Sequence, residues 1–303
     1  MTGRHLLRSP ARQKGMAVVS ALIVVAAASV ATAGIMERQA ALADTLAGER
    51  DRAQARWLLR GGLDWARILL LLDARSSAVT LRQAIWAQPI SNFQIRDPAS
   101  GRSATFSGVI EDEQGKFNLQ RLAVNGTIRA DAVAALDALL TSLNVPRGTA
   151  AGLAARVAAS QPAPTRAAMA PQLRSVHDLQ GVAGLSPDML AALSPYLTIL
   201  PGDTPLNVNT AAAEVLSAVI PGLGLAHARQ LVEERDRGQW FTSRGDFLNR
   251  LDLPVLQGEL ALDVRSEWFK VSGEVVLDHS RATMQALLRR TGDAPAAVHW
   301  IEG

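Results

Sequence analysis

No cysteine occurs anywhere in the 303 residues. That excludes a disulfide framework, thiol catalysis and thiolate metal sites, and it leaves the compartment open. Aromatic residues are only 4% of a chain that is 48% hydrophobic, so alanine and leucine supply much of the apolar content. Such a composition favours helix over an aromatic-rich all-β core. No Lys/Arg-rich block appears after residue 15, and the net charge is only +3. General affinity for nucleic acid has no support in that balance. The histidines His5, His177, His227, His279 and His299 share no metal-ligand spacing, and neither Gly-x-Ser-x-Gly nor a P-loop is present. No catalytic residue is assigned, and the protein is not expected to be an enzyme.

What the chain does have begins at the N-terminus. Arg4, Arg8, Arg12 and Lys14 stand in the first 15 residues without an acid, and Met16 to Met36 follow as 21 residues without a charge. As a helix that run spans roughly 31 Å, about one hydrocarbon core. The basic flank belongs on the cytoplasmic side and the remainder outside it. "ATAG" at 31–34 also fits a signal-peptidase site, so an ordinary signal peptide is the alternative. The junction "RQKG|MAVVSALIVV" resembles the type III signal of type IV pilins and pseudopilins, in which a prepilin peptidase cuts after the glycine and methylates the new N-terminus. The resemblance places the cut between Gly15 and Met16. Met16 stands where phenylalanine is usual, and Ser20 where most pilins have glutamate.

Helical character continues beyond the anchor. "LDWARILLLL" at 63–72 is too short and too charged for a second span, and reads as one face of the helix packed on a sheet. Gly61-Gly62 predicts a softening or bend. From Ser91 the pattern alternates, predicting antiparallel strands at 91–96, 103–111 and 116–120 around turns at Asp97–Gly101 and Glu113–Gly115. "EDEQG" lacks the ligand alternation of an EF-hand loop and reads as a solvated hairpin turn. Residues 123–265 read as helices, with a loop at 159–172, and β-type alternation returns from Glu267 onward. Strands, a helical block and strands again imply an all-α domain inserted into an α+β domain.

The helical block holds a weak internal repeat. "SVHDLQGVAGLSPDMLAAL" and "AAEVLSAVIPGLGLAHARQL" align Gly184 with Gly222, Leu185 with Leu223 and Leu193 with Leu231. Each copy reads as helix, glycine turn and helix, with Gly184, Gly222 and Gly224 as structural turn residues. "LNVNTA" at 206–211 leads into the second copy, where Asn209 or Thr210 is expected to cap the helix. "TSRGDFLNRLDLP" at 242–254 resembles the start of a further copy. The hairpin at 219–238 is similar to those that grip DNA phosphate through backbone N–H groups and nearby cations. Between Leu206 and Arg250, however, five arginines (229, 235, 237, 244, 250) face five acids (214, 233, 234, 236, 246). A neutral hairpin lacks the charge that drives phosphate binding, and reads as a packing module.

Three marks, "KGMAVVSALIVV", "DEQGKFNLQRL" at 112–122 and "PLNVNTAAAEVLSAVIPGLG" at 205–224, occur in one order. Together they resemble the minor pseudopilin K family of the type II secretion system. The resemblance implies an α+β fold, a pilin-like long N-terminal helix packed on an antiparallel sheet. Into it is inserted an all-α domain of helix-hairpin-helix, sterile-alpha-motif-like repeats. On that basis the chain divides into a leader (1–15), a transmembrane or fibre-core helix (16–36), pseudopilin helix and first strands (37–122), the insert (123–265, with repeats at about 123–204 and 205–265) and C-terminal strands (266–303). The resemblance implies an inner-membrane anchor with a cytoplasmic N-terminus and a periplasmic body, in a Gram-negative cell. It also implies assembly with minor pseudopilins I and J at the pseudopilus tip. Further candidate partners are minor pseudopilin H, the major pseudopilin, prepilin peptidase, the assembly platform and secreted substrates, and no nucleic acid. A membrane-tethered DNA receptor of the competence type is the alternative. Some relatives bind calcium through an acidic segment ahead of the first hairpin. Here no acid occurs from Pro146 to His177, so no calcium ligand is assigned, and no other cofactor is expected.

Ser20 has an implied role in assembly. A glutamate five residues past the cut neutralises a neighbour's N-terminal ammonium, and an unpaired charge at that depth costs about 2.5 kcal/mol or more. Ser20 cannot do this, which suits a subunit that starts the fibre. The other reading of Ser20 is a small helix-packing residue. The processing expectation is checked directly: N-terminal sequencing of the mature chain should begin at Met16. A start near Gly34 or Ile35 would establish a conventional signal peptide instead.

Overall fold

The computed structural model describes residues 13–98, 101–251, 260–278 and 280–303. The leader residues Arg4, His5, Arg8 and Arg12, together with His279 and residues 252–254 of the third helical copy, lie outside them.

With no proline between Pro10 and Pro89, helix α1 runs unbroken from Gln13 to Ser76, 64 residues. Its first part touches nothing: Met16, Leu22, Val24, Val30 and Met36 are all exposed. Its last part buries Ala55, Leu59, Leu63, Ala66 and Leu70, the spacing of a single helical face. That face lies on a five-stranded antiparallel sheet ordered β1-β2-β9-β10-β11. The strands are β1 (Ile90–Arg96), β2 (Ser103–Asp112), β9 (Trp268–Leu277), β10 (Ser280–Arg289) and β11 (Ala297–Glu302), and short two-residue strands lie between β2 and β9 in the chain. The core beneath α1 takes alternate residues of the central strands, including Ile110, Phe269, Val271, Val275, Met284, Ala286 and Leu288.

The helix continues through Gly61 and Gly62 without a break. Gly62 serves a different need. A Cβ there would sit 2.6 Å from Cζ of Phe106, whose ring also lies 3.1 Å from the Cβ position of Gly108. Gly108 pairs with Gly273 across β2 and β9, so the Phe106 ring fills a hollow lined by three glycines. Gly61 points the other way and has nothing within 4 Å.

Between β2 and β9 the chain leaves the sheet altogether. The expected third strand at 116–120 is corrected: only β3 (Phe117–Asn118) is extended, and a 3-10 turn, Leu119–Leu122, follows. Phe117, Leu119 and Leu122 already belong to the core of the helical block. After the β4–β5 hairpin (Ala123–Val124, Thr127–Ile128) come α2 (Ala130–Ser142), α3 (Thr149–Ser160) and α4 (Pro187–Leu193). Then follow β6 (Leu197–Thr198), β7 (Leu206–Asn207), α5 (Ala213–Val219), α6 (Leu225–Asp236), α7 (Arg244–Arg250) and β8 (Leu262–Asp263). Parallel pairs β3·β6 and β7·β8 tie the start of each helical half to the strand that closes it.

Gly184 and Gly222 occupy matching left-handed turns, with φ of 77° and 83°. Leu185, Leu223, Leu193 and Leu231 are all buried. The first copy departs from expectation in its first arm, which is two 3-10 turns, Val176–Leu179 and Val182–Gly184, and not a helix. Gly224 is the residue before α6, in extended conformation.

The two adjacent glycines of α1 therefore respond oppositely to a methyl group. Gly61→Ala should stabilise the chain by up to about 1 kcal/mol, from helix propensity alone. Gly62→Ala should lose about 1 kcal/mol or more, because overpacking against Phe106 outweighs the same propensity gain. Thermal unfolding of the detergent-solubilised chain measures both; equal shifts of the same sign would refute the glycine hollow.

Candidate functional site

The acidic turn of β2 is not solvated, contrary to its composition: residues 112–118 are all buried. They are buried because polar groups from elsewhere meet each of theirs. Asp112 Oδ1 accepts the backbone N–H of Gln114 at 2.8 Å. Its Oδ2 accepts the hydroxyls of Thr210 at 2.5 Å and Ser266 at 2.6 Å, and the amide of Asn207 at 3.1 Å. Burial pushes the Asp112 carboxyl above its usual range, against the pull of these donors. The Gln114 side chain accepts the N–H groups of Glu267 and Trp268 and donates to the Pro205 carbonyl. Gly115 packs so closely that a Cβ would lie 2.8 Å from Thr210 Oγ1 and 3.0 Å from the Thr210 carbonyl.

Neighbouring residues complete the seam. Asn118 accepts the Leu200 N–H at 3.0 Å and donates to its carbonyl at 3.2 Å, in the manner of a strand partner. Glu113 bonds Lys116 Nζ at 2.6 Å and the Thr198 hydroxyl at 2.5 Å. Glu111 is disfavoured by burial, yet Lys116 and Lys270 hold its carboxyl below the usual range. Arg290, the residue after β10, reaches Asp73 of α1 at 2.8 Å, the Thr80 hydroxyl at 2.7 Å and the Ser266 carbonyl at 2.9 Å, above the ring of Phe269. The helix, the sheet and the insert are thus joined at the α1 C-terminus, the end farthest from the apolar segment.

Asn209 and Thr210 do not cap a helix. Asn209 accepts the Phe241 N–H at 2.9 Å and donates to the Phe241 carbonyl at 2.8 Å, and Thr210 serves Asp112. Both side chains are committed inward before α5 begins, and its cap position is Ala212. The hairpin arginines are committed as well. Arg235, 1% exposed, donates to the carbonyls of Val208 and Ala211 at 3.1 and 2.7 Å. Arg229 pairs with Glu214, Arg237 with Glu233 and Arg250 with Asp246. Inward-facing Arg235 left no mark in the sequence beyond one more positive charge.

The candidate processing and assembly residues lie on the N-terminal part of α1. The helix passes through Gly15 and Met16 without a break, and Met16 is 76% exposed. Ser20 Oγ donates to the Met16 carbonyl at 2.8 Å, satisfied within its own helix. Nearer the sheet, Leu42, Leu46, Trp57, Trp65, Ile68 and Leu72 are exposed, with Trp57 at 74%. Trp57, Gly61, Trp65, Ile68 and Leu72 fall on one face, opposite the buried face. Periodicity marks both faces as apolar, but only packing tells which is left uncovered.

Residues 115–202 and 206–272 match two family models, each described as type II secretion system (T2SS), protein K. The chain belongs to the type II secretion system protein K family. The protein K of Pseudomonas aeruginosa is 29% identical over 94% of this chain and 91% of its own length. That of Klebsiella pneumoniae is 28% identical over 93% and 94%. Among solved structures, the GspK-GspI-GspJ complex from enterotoxigenic Escherichia coli contains a chain that matches with a TM-score of 0.59 at 19% identity. The match covers 84% of this chain and 97% of that one, and it shows the shared fold. This protein is accordingly a minor pseudopilin, built on one apolar N-terminal helix long enough to cross a membrane. The two matched segments divide at residues 203–205, between β6 and β7.

Among the described residues no group of three or more acidic or histidine side chains converges as a calcium site would require. The acids of the seam are taken by hydroxyls, amides and ammonium groups.

With four of its five arginines so committed, the hairpin module offers little free positive charge. Anisotropy titration of the chain with duplex DNA at low salt should give binding no tighter than that of a neutral control protein. Micromolar binding that weakens steeply with salt would revive the DNA-receptor reading.

Proposed function

We propose that this minor pseudopilin is processed between Gly15 and Met16 and held in the inner membrane by residues 16–36. Its N-terminus then faces the cytoplasm and its body the periplasm. There it joins minor pseudopilins I and J to form the tip of the pseudopilus. The observation that carries this reading is α1: a single uninterrupted helix whose uncovered membrane segment continues into an uncovered apolar stripe beside the sheet. Apolar area on that scale, on a helix already anchored, is suited to parallel helices of neighbouring subunits. The E. coli relative is found in a complex with GspI and GspJ, which supports those partners here.

Two features favour the tip over the body of the fibre. The insert is seated at the end of α1 farthest from the membrane, where Asp73 meets Arg290. At the opposite end of the sheet Arg102 bridges Asp51 and Asp278. A bulky crown on the distal end obstructs a further subunit above it. Ser20, uncharged and bonded to its own helix, offers no carboxylate to a neighbour's N-terminal ammonium.

Gly61, between Trp57 and Trp65, is a notch into which a side chain of an adjacent helix fits. Full-length protein in detergent should co-purify with I and J. Gly61→Ile should leave the melting temperature unchanged or raised, yet weaken that complex by about 30-fold, the effect of losing a contact worth about 2 kcal/mol. Trp57→Ala should weaken it similarly. An intact complex with both variants would remove this face from the interface, and failure of the unaltered chain to bind either subunit would remove the tip reading.

A further inference from the structure

Three stretches of chain meet at Asp112: the end of β2, the β7 segment of the insert, and the linker through Ser266 that returns to β9. Its carboxylate is buried, and among the described residues no lysine, arginine or histidine forms an ion pair with it. The charged groups around it are taken elsewhere. On its own strand and turn, Glu111 pairs with Lys270 of β9, and Glu113 with Lys116. Asp73 of α1 and Arg290, the residue after β10, pair with each other, and on the returning linker Glu267 pairs with Arg289 while Arg265 is exposed to solvent. Asp263 of β8 accepts the N–H groups of Val264 and Arg265. β7 and the residues after it contribute only the neutral Asn207 and Thr210.

We propose that Asp112 is a proton-operated latch, holding the helical insert most firmly on the sheet when its carboxyl is protonated and loosening as the pH rises. The hydrogen bonds permit both states. In the charged state Thr210, Ser266 and Asn207 all donate to Oδ2. In the neutral state the proton on Oδ2, taken from solvent, is donated to Thr210 Oγ1. The Thr210 hydroxyl then turns to the Asn207 carbonyl, 3.5 Å away. The neutral state thus keeps the short contact while removing a buried charge that has no counter-ion.

The direction follows from linkage. Burial raises the carboxyl pKa in the seated state above its value in an opened one, which is about 4 for exposed aspartate. Between those two values the seated form binds more protons than the opened form, so its advantage declines as pH rises. The decline reaches up to about tenfold in the opening equilibrium per pH unit, and it ends once pH exceeds the raised value.

Hydrogen exchange read by mass spectrometry on the full chain in detergent tests this, with rates divided by the intrinsic rate at each pH. From about pH 4 to pH 8, beginning at the exposed-aspartate value, protection at 206–211 and 264–268 should fall relative to amides in the centre of β9 and β10. In Asp112→Asn, whose amide donates to Thr210 as the protonated acid does, protection should stay high and flat. Parallel loss in both proteins, or loss in neither, overturns the latch. Ser266→Ala, which loses a hydroxyl that serves Asp112 only as a donor, supplies a second measurement should the asparagine variant not fold. Removing a donor to the charged carboxylate should move the midpoint of the loss to higher pH, and an unmoved midpoint overturns the proposal.

Discussion

Strands β2 and β9 pair along their whole length, from Ala104 with Leu277 to Asp112 with Phe269, although the entire helical insert lies between them in sequence. Closing so long an excursion is not costly for its length, since each doubling of a loop adds only about 0.6 kcal/mol. The severe constraint is at the exit and return points. There two chains leave a sheet side by side, and their backbone groups pass into the interior without a ladder to pair them. Gln114 answers this by accepting two N–H groups of the returning chain, and Asn118 by imitating a strand partner for Leu200. The dense polar seam is thus the condition for having an insert at all. It also explains why the segment most polar in composition is among the most buried.

The same seam orients the rest. Arg290 fastens the C-terminal turn of α1 to the linker entering β9, and the Leu200 side chain packs against Trp268 and Leu287 on the sheet face away from α1. The insert therefore approaches α1 only near its distal end. The long outer face of the helix, from the membrane segment to Leu72, stays open. An assembly subunit needs both properties: a crown fixed in orientation relative to the helix, and a helix surface that the crown does not cover.

The large elements were legible because they rest on repeating patterns. An uncharged run of membrane length, alternation over β2, β9 and β10, and paired glycine turns at Gly184 and Gly222 each survive without knowledge of the fold. What was not legible depends on single contacts between distant residues. Nothing local distinguishes Asp112 as a buried acceptor from an aspartate in a solvated turn, because its donors lie at 207, 210 and 266. Gly62 reads as a helix weakness until Phe106 is placed over it. Asn209 sits where a cap belongs, yet its amide matches the backbone of Phe241, thirty-two residues on. In each case long-range pairing overrode a sound local propensity.

The hairpin shows how far such pairing can change what a motif does. A phosphate-gripping hairpin must keep its cations free and facing solvent, so that they exchange water and counterions for the ligand. Here the segment "LNVNTA" enters the core just ahead of α5, and its turn leaves the carbonyls of Val208 and Ala211 pointing at α6. Arg235 satisfies both, at the expense of burying a guanidinium whose charge is disfavoured there and whose partner acid, Asp236, is exposed to solvent. Removing that arginine would strand two buried carbonyls, a larger penalty than any surface charge is worth. The cation is therefore held by the interior of the hairpin module. Arginine content alone, which counts Arg235 as available, overstates the module's capacity for phosphate. Once that residue is turned inward the helix pair acts as a packing unit, and of the solvent-facing arginines left over, Arg229, Arg237 and Arg250 are already matched by acids beside them.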